Sequence, residues 1–179
     1  MDWARQALQV QERHSDFDPT CLALTLSNLA ANLEGVGALD EAEARYLQSL
    51  EILERVHGPT HRDVAMNLNN LAALVWKQGD LERSDGLYQR AVRIKRQRLG
   101  ASHPDVGVSL HNLASLNLAR HRWTEAGELA TQAVQILARA FGPSDKRVRT
   151  AAAVQTAALK ASQDSVAVNA GAMVASASL

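Results

Sequence analysis

The stretch Leu68-Asn69-Asn70-Leu71-Ala72 decides the fold, because its last three residues recur as Asn28-Leu29-Ala30 and Asn112-Leu113-Ala114, a step of 42 residues each time. Glycines keep the same step at Gly58, Gly100 and Gly142, and so do four residues of helix-capping type, Asp18, Thr60, Ser102 and Ser144. Self-similarity at this length marks an array of supersecondary units, each too small to bury its apolar face alone.

Each period divides into two helices by its apolar spacing. Helix A begins at the capping residue. Pro19 suits the first helical position. Thr60 and Ser102 are followed three residues later by Asp63 and Asp105, an arrangement like a capping box. Gly37 and Gly79 supply the left-handed residue that ends helix A. In the third unit His121 stands there, which strains the turn without excluding it. Helix B then occupies 39–57, 81–99 and 123–141 and stops at the next glycine. The repeats are therefore 18–58, 60–100 and 102–142.

The flanks are partial. Residues 1–15 read as a helix through Ala4, Ala7, Leu8 and Gln11, and the same step lays Ala7-Leu8-Gln9-Val10 on Ser49-Leu50-Glu51-Ile52. This segment is either the second helix of a partial repeat, in a fragment of a longer protein, or an N-terminal cap. Residues 144–162 read as a C-terminal capping helix, with Gln155 and Thr156 at positions that are apolar in the other units. A terminal unit needs such a polar face. Residues 163–179 are small and aperiodic, which predicts a disordered tail.

Composition narrows the function. The 179 residues carry 19 Lys plus Arg against 19 Asp plus Glu. A formally neutral chain argues against general binding of nucleic acid or a membrane surface. The single cysteine, Cys21, forms no internal disulfide framework and fits a reducing compartment. The N-terminus lacks the basic-then-apolar pattern of a signal peptide, and no apolar run reaches membrane-spanning length. The expected location is cytoplasmic.

The faces of helix A carry the functional expectation. Leu68, Leu71, Ala72 and Val75 share one stripe, matched by Leu26, Leu29, Ala30 and Leu33 and by Leu110, Leu113, Ala114 and Asn117. That stripe is the core. Helix B offers small residues to meet it, Ala42, Ser84 and Ala126, then Ser49, Ala91 and Ala133, with Tyr46 and Tyr88 between them. The opposite stripe holds Met66, Asn69, Asn70, Ala73, Trp76 and Lys77 in the second repeat. The first repeat has Leu24, Ser27, Asn28, Ala31, Glu34 and Gly35 there, and the third has Val108, His111, Asn112, Ser115, Leu118 and Ala119. A face turned to bulk water is normally rich in Lys and Glu. This one repeats an asparagine, a mediocre helix former, at Asn28, Asn70 and Asn112. The amide either bonds a neighbouring helix or offers a donor and an acceptor to an extended peptide backbone.

Motifs of catalysis are missing: there is no phosphate loop, GxSxG or HExxH. No metal set, catalytic group or cofactor site is expected. Gly58-Pro59 interrupts the helix between His57 and His61, so the two share no helix face. His111 reads as a polar contact and Cys21 as an ordinary small residue. The basic run Arg90, Arg93, Lys95, Arg96, Arg98 spreads around its helix as a solvated face. Trp123 aligns with Leu39 and Leu81 and is expected in the core, whereas Trp76 aligns with Glu34 and Leu118 and is expected to anchor a ligand.

The chain resembles the tetratricopeptide repeat, in the 42-residue form of kinesin light chains and their relatives. The likeness rests on His61-Arg62-Asp63-Val64-Ala65, Leu68-Asn69-Asn70-Leu71-Ala72, Gln78-Gly79-Asp80-Leu81, Tyr88-Gln89-Arg90-Ala91-Val92, Leu99-Gly100 and Ser102-His103-Pro104-Asp105-Val106. It covers about residues 18–142. The resemblance implies an all-α, right-handed superhelical solenoid of antiparallel helix pairs. Helices A would line a concave groove in which Asn28, Asn70 and Asn112 hold a ligand backbone, and Met66, Trp76, Leu24, Val108 and Leu118 form apolar pockets. Asn69, His111 and Lys77 border them. Only Lys77 is placed to attract an acidic ligand, and Glu34 opposes it. The expected function is a non-enzymatic scaffold for a protein or peptide, a cargo adaptor being one version. The alternative is a regulatory or sensing segment of a larger signalling protein.

Overall fold

A computed structural model describes residues 18–176 of the chain, with side chains described to residue 165. The expected helix at 1–15 lies outside these residues. Among the described residues there are seven helices and no strand: α1 (Pro19–Gly35), α2 (Leu39–His57), α3 (Arg62–Lys77), α4 (Leu81–Leu99), α5 (Pro104–Ala119), α6 (Trp123–Phe141) and α7 (Lys146–Ser176). The fold is an all-α helical repeat of the solenoid class. Internal packing divides the chain into two units, Met1–Ala101 and Ser102–Leu179. Two helix pairs, α1–α2 and α3–α4, belong to the first. The pair α5–α6 and the helix α7 belong to the second.

The turn inside each pair needs one residue of positive φ. Gly37 (82°) and Gly79 (92°) provide it at no steric penalty, and His121 takes the same role at 59°. It is the only non-glycine residue with positive φ among the described residues. Its ring lies edge-on to Trp123, with centroids 4.7 Å apart.

The caps differ from expectation in a consistent way. Asp18 does cap α1, its carboxylate accepting from the Thr20 N–H at 2.9 Å. In the next two repeats the cap moves one residue on. His61 Nδ1 accepts from Asp63 N–H at 3.3 Å, and His103 Nδ1 accepts from Asp105 N–H at 3.1 Å. An imidazole lone pair does there what a Ser or Asp oxygen does elsewhere. Thr60 is occupied otherwise: its carbonyl and hydroxyl accept from Arg98 at 2.8 and 2.9 Å. At α7 the cap is Asp145 rather than Ser144.

Leu26, Leu29, Ala30 and Leu33 of α1 and Leu68, Leu71, Ala72 and Val75 of α3 are all buried, as the stripe required. Tyr46, on α2, is 1% exposed and packs in one cluster with Leu29, Leu33, Leu71 and Leu74. Each such aliphatic side chain contributes about 1.5–3 kcal/mol on burial. Helix α3 buries a further face that its core stripe does not include. Val64 and Ala65 pack with Leu53 and Ala91, and Leu74 packs with Tyr46. A middle helix is covered by its own partner and by the preceding pair, so it is apolar over more of its circumference than one stripe.

The second unit is closer-packed at one point and looser at others. Gly107 stands where the first unit has Ala23 and Ala65. A Cβ there would come 3.0 Å from Leu137 Cγ and 3.1 Å from Ile136 Cγ2. Ala130 replaces the tyrosine position and is fully buried. Asn117 replaces Val75; it is 5% exposed and donates to the Leu113 carbonyl at 3.1 Å. Helix α7 covers this unit through Val148, Ala151 and Ala158. Its polar Gln155 donates to Thr131 Oγ1 at 2.8 Å, and Thr131 donates to the Gly127 carbonyl, also at 2.8 Å. The helix was expected to end near 162 and give way to a disordered tail. The helical backbone instead runs to Ser176.

Candidate functional site

In the first unit the low-charge face of the A helices stays open to solvent. Leu24 is 38% exposed and Met66 is 44% exposed, although both are large and apolar. Asn28, four residues after Leu24, is exposed, and Asn70, four residues after Met66, is half-buried. Residues four apart on a helix are neighbours. The repeat therefore sets an apolar side chain beside an amide twice in this unit. Trp76 is half-buried on the same face. Asn69 is half-buried and already has a partner within the protein. Lys77 forms an ion pair with Glu34, which joins the first repeat to the second and leaves the face without net charge. Beneath it, burial first and the Glu34 carboxylate second push the phenols of Tyr46 and Tyr88 up to about 12.

Two residues of this region serve the fold instead. Ser27 accepts from Asn67 Nδ2 at 2.9 Å and lies 2.8 Å from Ser49 Oγ. Ser49 donates to the Ala23 carbonyl at 2.7 Å, so its single proton is used and Ser27 must donate to it. A directed chain therefore runs from Asn67 through Ser27 and Ser49 to Ala23. It ties α3 to α1 and α2. Asn67, which is 2% exposed, bonds a neighbouring helix through its amide, and the repeat pattern does not single it out.

In the second unit the same positions are Val108, His111, Asn112 and Leu118, all half-buried. Asn112 has a partner within the protein. His111 is enclosed enough that its Nδ1 is buried without a partner, and burial lowers its pKa below the ordinary 6.5. The ring is neutral at neutral pH.

Several other expectations change. Cys21 is exposed, with Sγ 3.8 Å from Asp18 Oδ2. The basic run is partly engaged: Arg90 pairs with Glu54, and Arg98 holds Thr60. Trp123 is half-buried rather than core, because it lines an open cavity of about 460 Å³ with Gly127, Thr131, Ala158 and Leu159. His57 and His61 share no helix face, as expected, yet they meet. The turn at Gly58-Pro59 folds the chain back, and their rings stack with centroids 4.4 Å apart. No helix among the described residues is long and apolar enough to cross a membrane.

The period, the tight turns and the small residues between helices have a match among known families. A tetratricopeptide repeat family model fits residues 21–97 and again residues 65–139. The chain belongs to the tetratricopeptide repeat family. Tetratricopeptide repeats form a family of protein-interaction scaffolds, and a protein-interaction scaffold is the general role of this chain. Similar solved structures are kinesin light chain-like. BtubC (BKLC) from P. vanneervenii is 22% identical with a TM-score of 0.71, over 94% of this chain and 71% of that one. A putative kinesin light chain with nearly identical TPR-like repeats from Podosopora anserina is 21% identical with a TM-score of 0.75, over 91% of this chain and 77% of that one. A substituted variant of that protein gives 0.76 over the same shares. At these identities the likeness establishes the fold. No curated protein matches the chain in sequence.

Proposed function

We propose that the tetratricopeptide repeats of this chain hold an extended, uncharged peptide on the open face of the A helices, with α1 and α3 as the core of the site. The supporting observation is the recurrence of an exposed apolar side chain four residues before an asparagine, Leu24 with Asn28 and Met66 with Asn70. A peptide in extended conformation presents its backbone amides between alternating side chains. Asn28 and Asn70 pair with the amides whatever the sequence, and Met66, Leu24 and Trp76 take up apolar side chains. Lys77 is committed to Glu34, so an acidic peptide gains no free cation from it. Val108, His111, Asn112 and Leu118 give the second unit a comparable face. A cargo adaptor of the kinesin light chain-like kind works by this sort of capture.

A peptide library screened by fluorescence polarisation tests the reading. Asn70→Ala and Trp76→Ala should each weaken the selected peptides by about 1 kcal/mol or more. Unchanged affinity in both variants, with their helicity intact, sinks the groove model. Preference for acidic peptides removes the role given to the Lys77–Glu34 pair.

A further inference from the structure

We propose that His57, His61 and Asp63, at the junction of α2 and α3, form a zinc-binding site. Each offers one ligand atom, and the three atoms lie within 4.8 Å of one another. Tetrahedral zinc with arms of 2.0–2.1 Å sets its ligand atoms about 3.4 Å apart. His61 Nδ1 and Asp63 Oδ2 are already 3.5 Å apart. The last helical residue of α2 supplies His57, and the N-terminus of α3 supplies the other two. Gly58-Pro59 makes the turn between them and brings the three together; closing on one ion requires the stacked imidazole rings, whose centroids are 4.4 Å apart, to turn toward a common point.

The surroundings suit a ligand. All three side chains are half-buried, so an ion reaches them from solvent. The Thr20 hydroxyl lies 3.2 Å from His57 Nε2 and braces that ring from α1. A second contact of this kind orients ligating histidines in metal sites generally. The Asp63 N–H to His61 Nδ1 bond is long, at 3.3 Å, and a metal on Nδ1 displaces only that weak cap. Two imidazoles and one carboxylate select zinc over calcium or magnesium, which prefer oxygen ligands throughout. The fourth position is left to water.

The third repeat is a built-in control. It keeps His103 and Asp105 at the places of His61 and Asp63, but Leu99 stands where His57 does. Its imidazole–carboxylate distance is 3.9 Å, longer than in the second repeat. A two-ligand set binds far more weakly than a three-ligand one.

Calorimetric titration of the untagged full chain with zinc chloride at neutral pH tests the site, with histidine ring signals followed by NMR. One zinc should bind per chain and shift the ring signals of His57 and His61. His57→Leu, which installs the residue of the third repeat, should lower affinity by about tenfold or more, and Asp63→Asn should lower it as well. His103→Leu should leave it unchanged. Circular dichroism checks that each variant folds, and Asp63→Asn keeps the test open if His57→Leu does not. No zinc uptake by the native chain, undiminished affinity in His57→Leu, or an equal loss in His103→Leu would overturn the proposal.

Discussion

The first unit packs two tyrosines, Tyr46 and Tyr88, into its interior at 1% exposure, and the second unit has Ala130 at the same repeat position. The contrast continues around them. The first unit buries Val75, and the second buries the amide of Asn117. The first unit joins Ser27, Ser49 and the Asn67 amino group in one directed chain but leaves Asn67 Oδ1 and Arg45 Nε buried without a partner, as the second unit leaves His111 Nδ1. Three ion pairs, Glu34–Lys77, Glu43–Arg83 and Glu54–Arg90, join the first repeat to the second. One repeat thus supports two different levels of packing. In an array whose stability is close to a sum over units, the unit without the buried tyrosines is expected to open first.

The tyrosine position should show the largest effect. Tyr46→Ala gives the first unit what the second already has. It removes a ring that touches α1 and α3 at once and should cost about 3–5 kcal/mol, as for other buried aromatics. Urea denaturation read by circular dichroism measures it, and amide exchange locates the loss in α1–α3. A loss under about 1 kcal/mol would mean that the tyrosines are not what distinguishes the units.

The converse change is smaller. Asn117→Val installs the residue of Val75 and removes a buried amide whose amino group bonds back to its own helix, at the Leu113 carbonyl. That carbonyl keeps its backbone partner, so nothing is stranded. A gain of about 1 kcal/mol is expected, seen as a higher urea midpoint with unchanged slope. A loss would show that the Asn117 oxygen is needed.

Much of this contrast was legible in the sequence. Leu and Ala at the 42-residue step announce the core, and the bounds of α2, α4 and α6 follow from the glycines. The breaks at Asn117 and His121 are visible as departures from the pattern. What was not legible depends on a third helix. Asn67 belongs to neither stripe of α3 as the repeat defines them, yet the preceding pair covers it. His61 and His103 are poor cap residues by frequency, and only the geometry of Nδ1 against the N–H two residues on makes them caps. The approach of His57 to His61 depends on the path of the Gly58-Pro59 turn, which helical periodicity does not describe. On the candidate face, Leu24, Met66 and Asn28 are exposed and Asn70 is half-buried, whereas the Ser27 hydroxyl is engaged by partners on α2 and α3, which no reading of α1 alone reveals.

The smallest effect is one of pH, and it separates the units by a single side chain. Burial holds the His111 pKa below its ordinary 6.5. The unfolded chain therefore takes up this proton more readily than the folded one. Folding stability from this group is complete above 6.5 and is lost as pH falls from there toward the lowered value in the folded state. The equivalent residue of the second repeat is Asn69, which does not titrate. His111→Asn should leave the melting temperature near neutral pH almost unchanged and flatten its decline on mild acidification. Thermal melts of the two proteins across that range measure the difference. Parallel curves would mean that the ring accepts its proton without disturbing the fold, and that the buried Nδ1 is no weakness of the second unit.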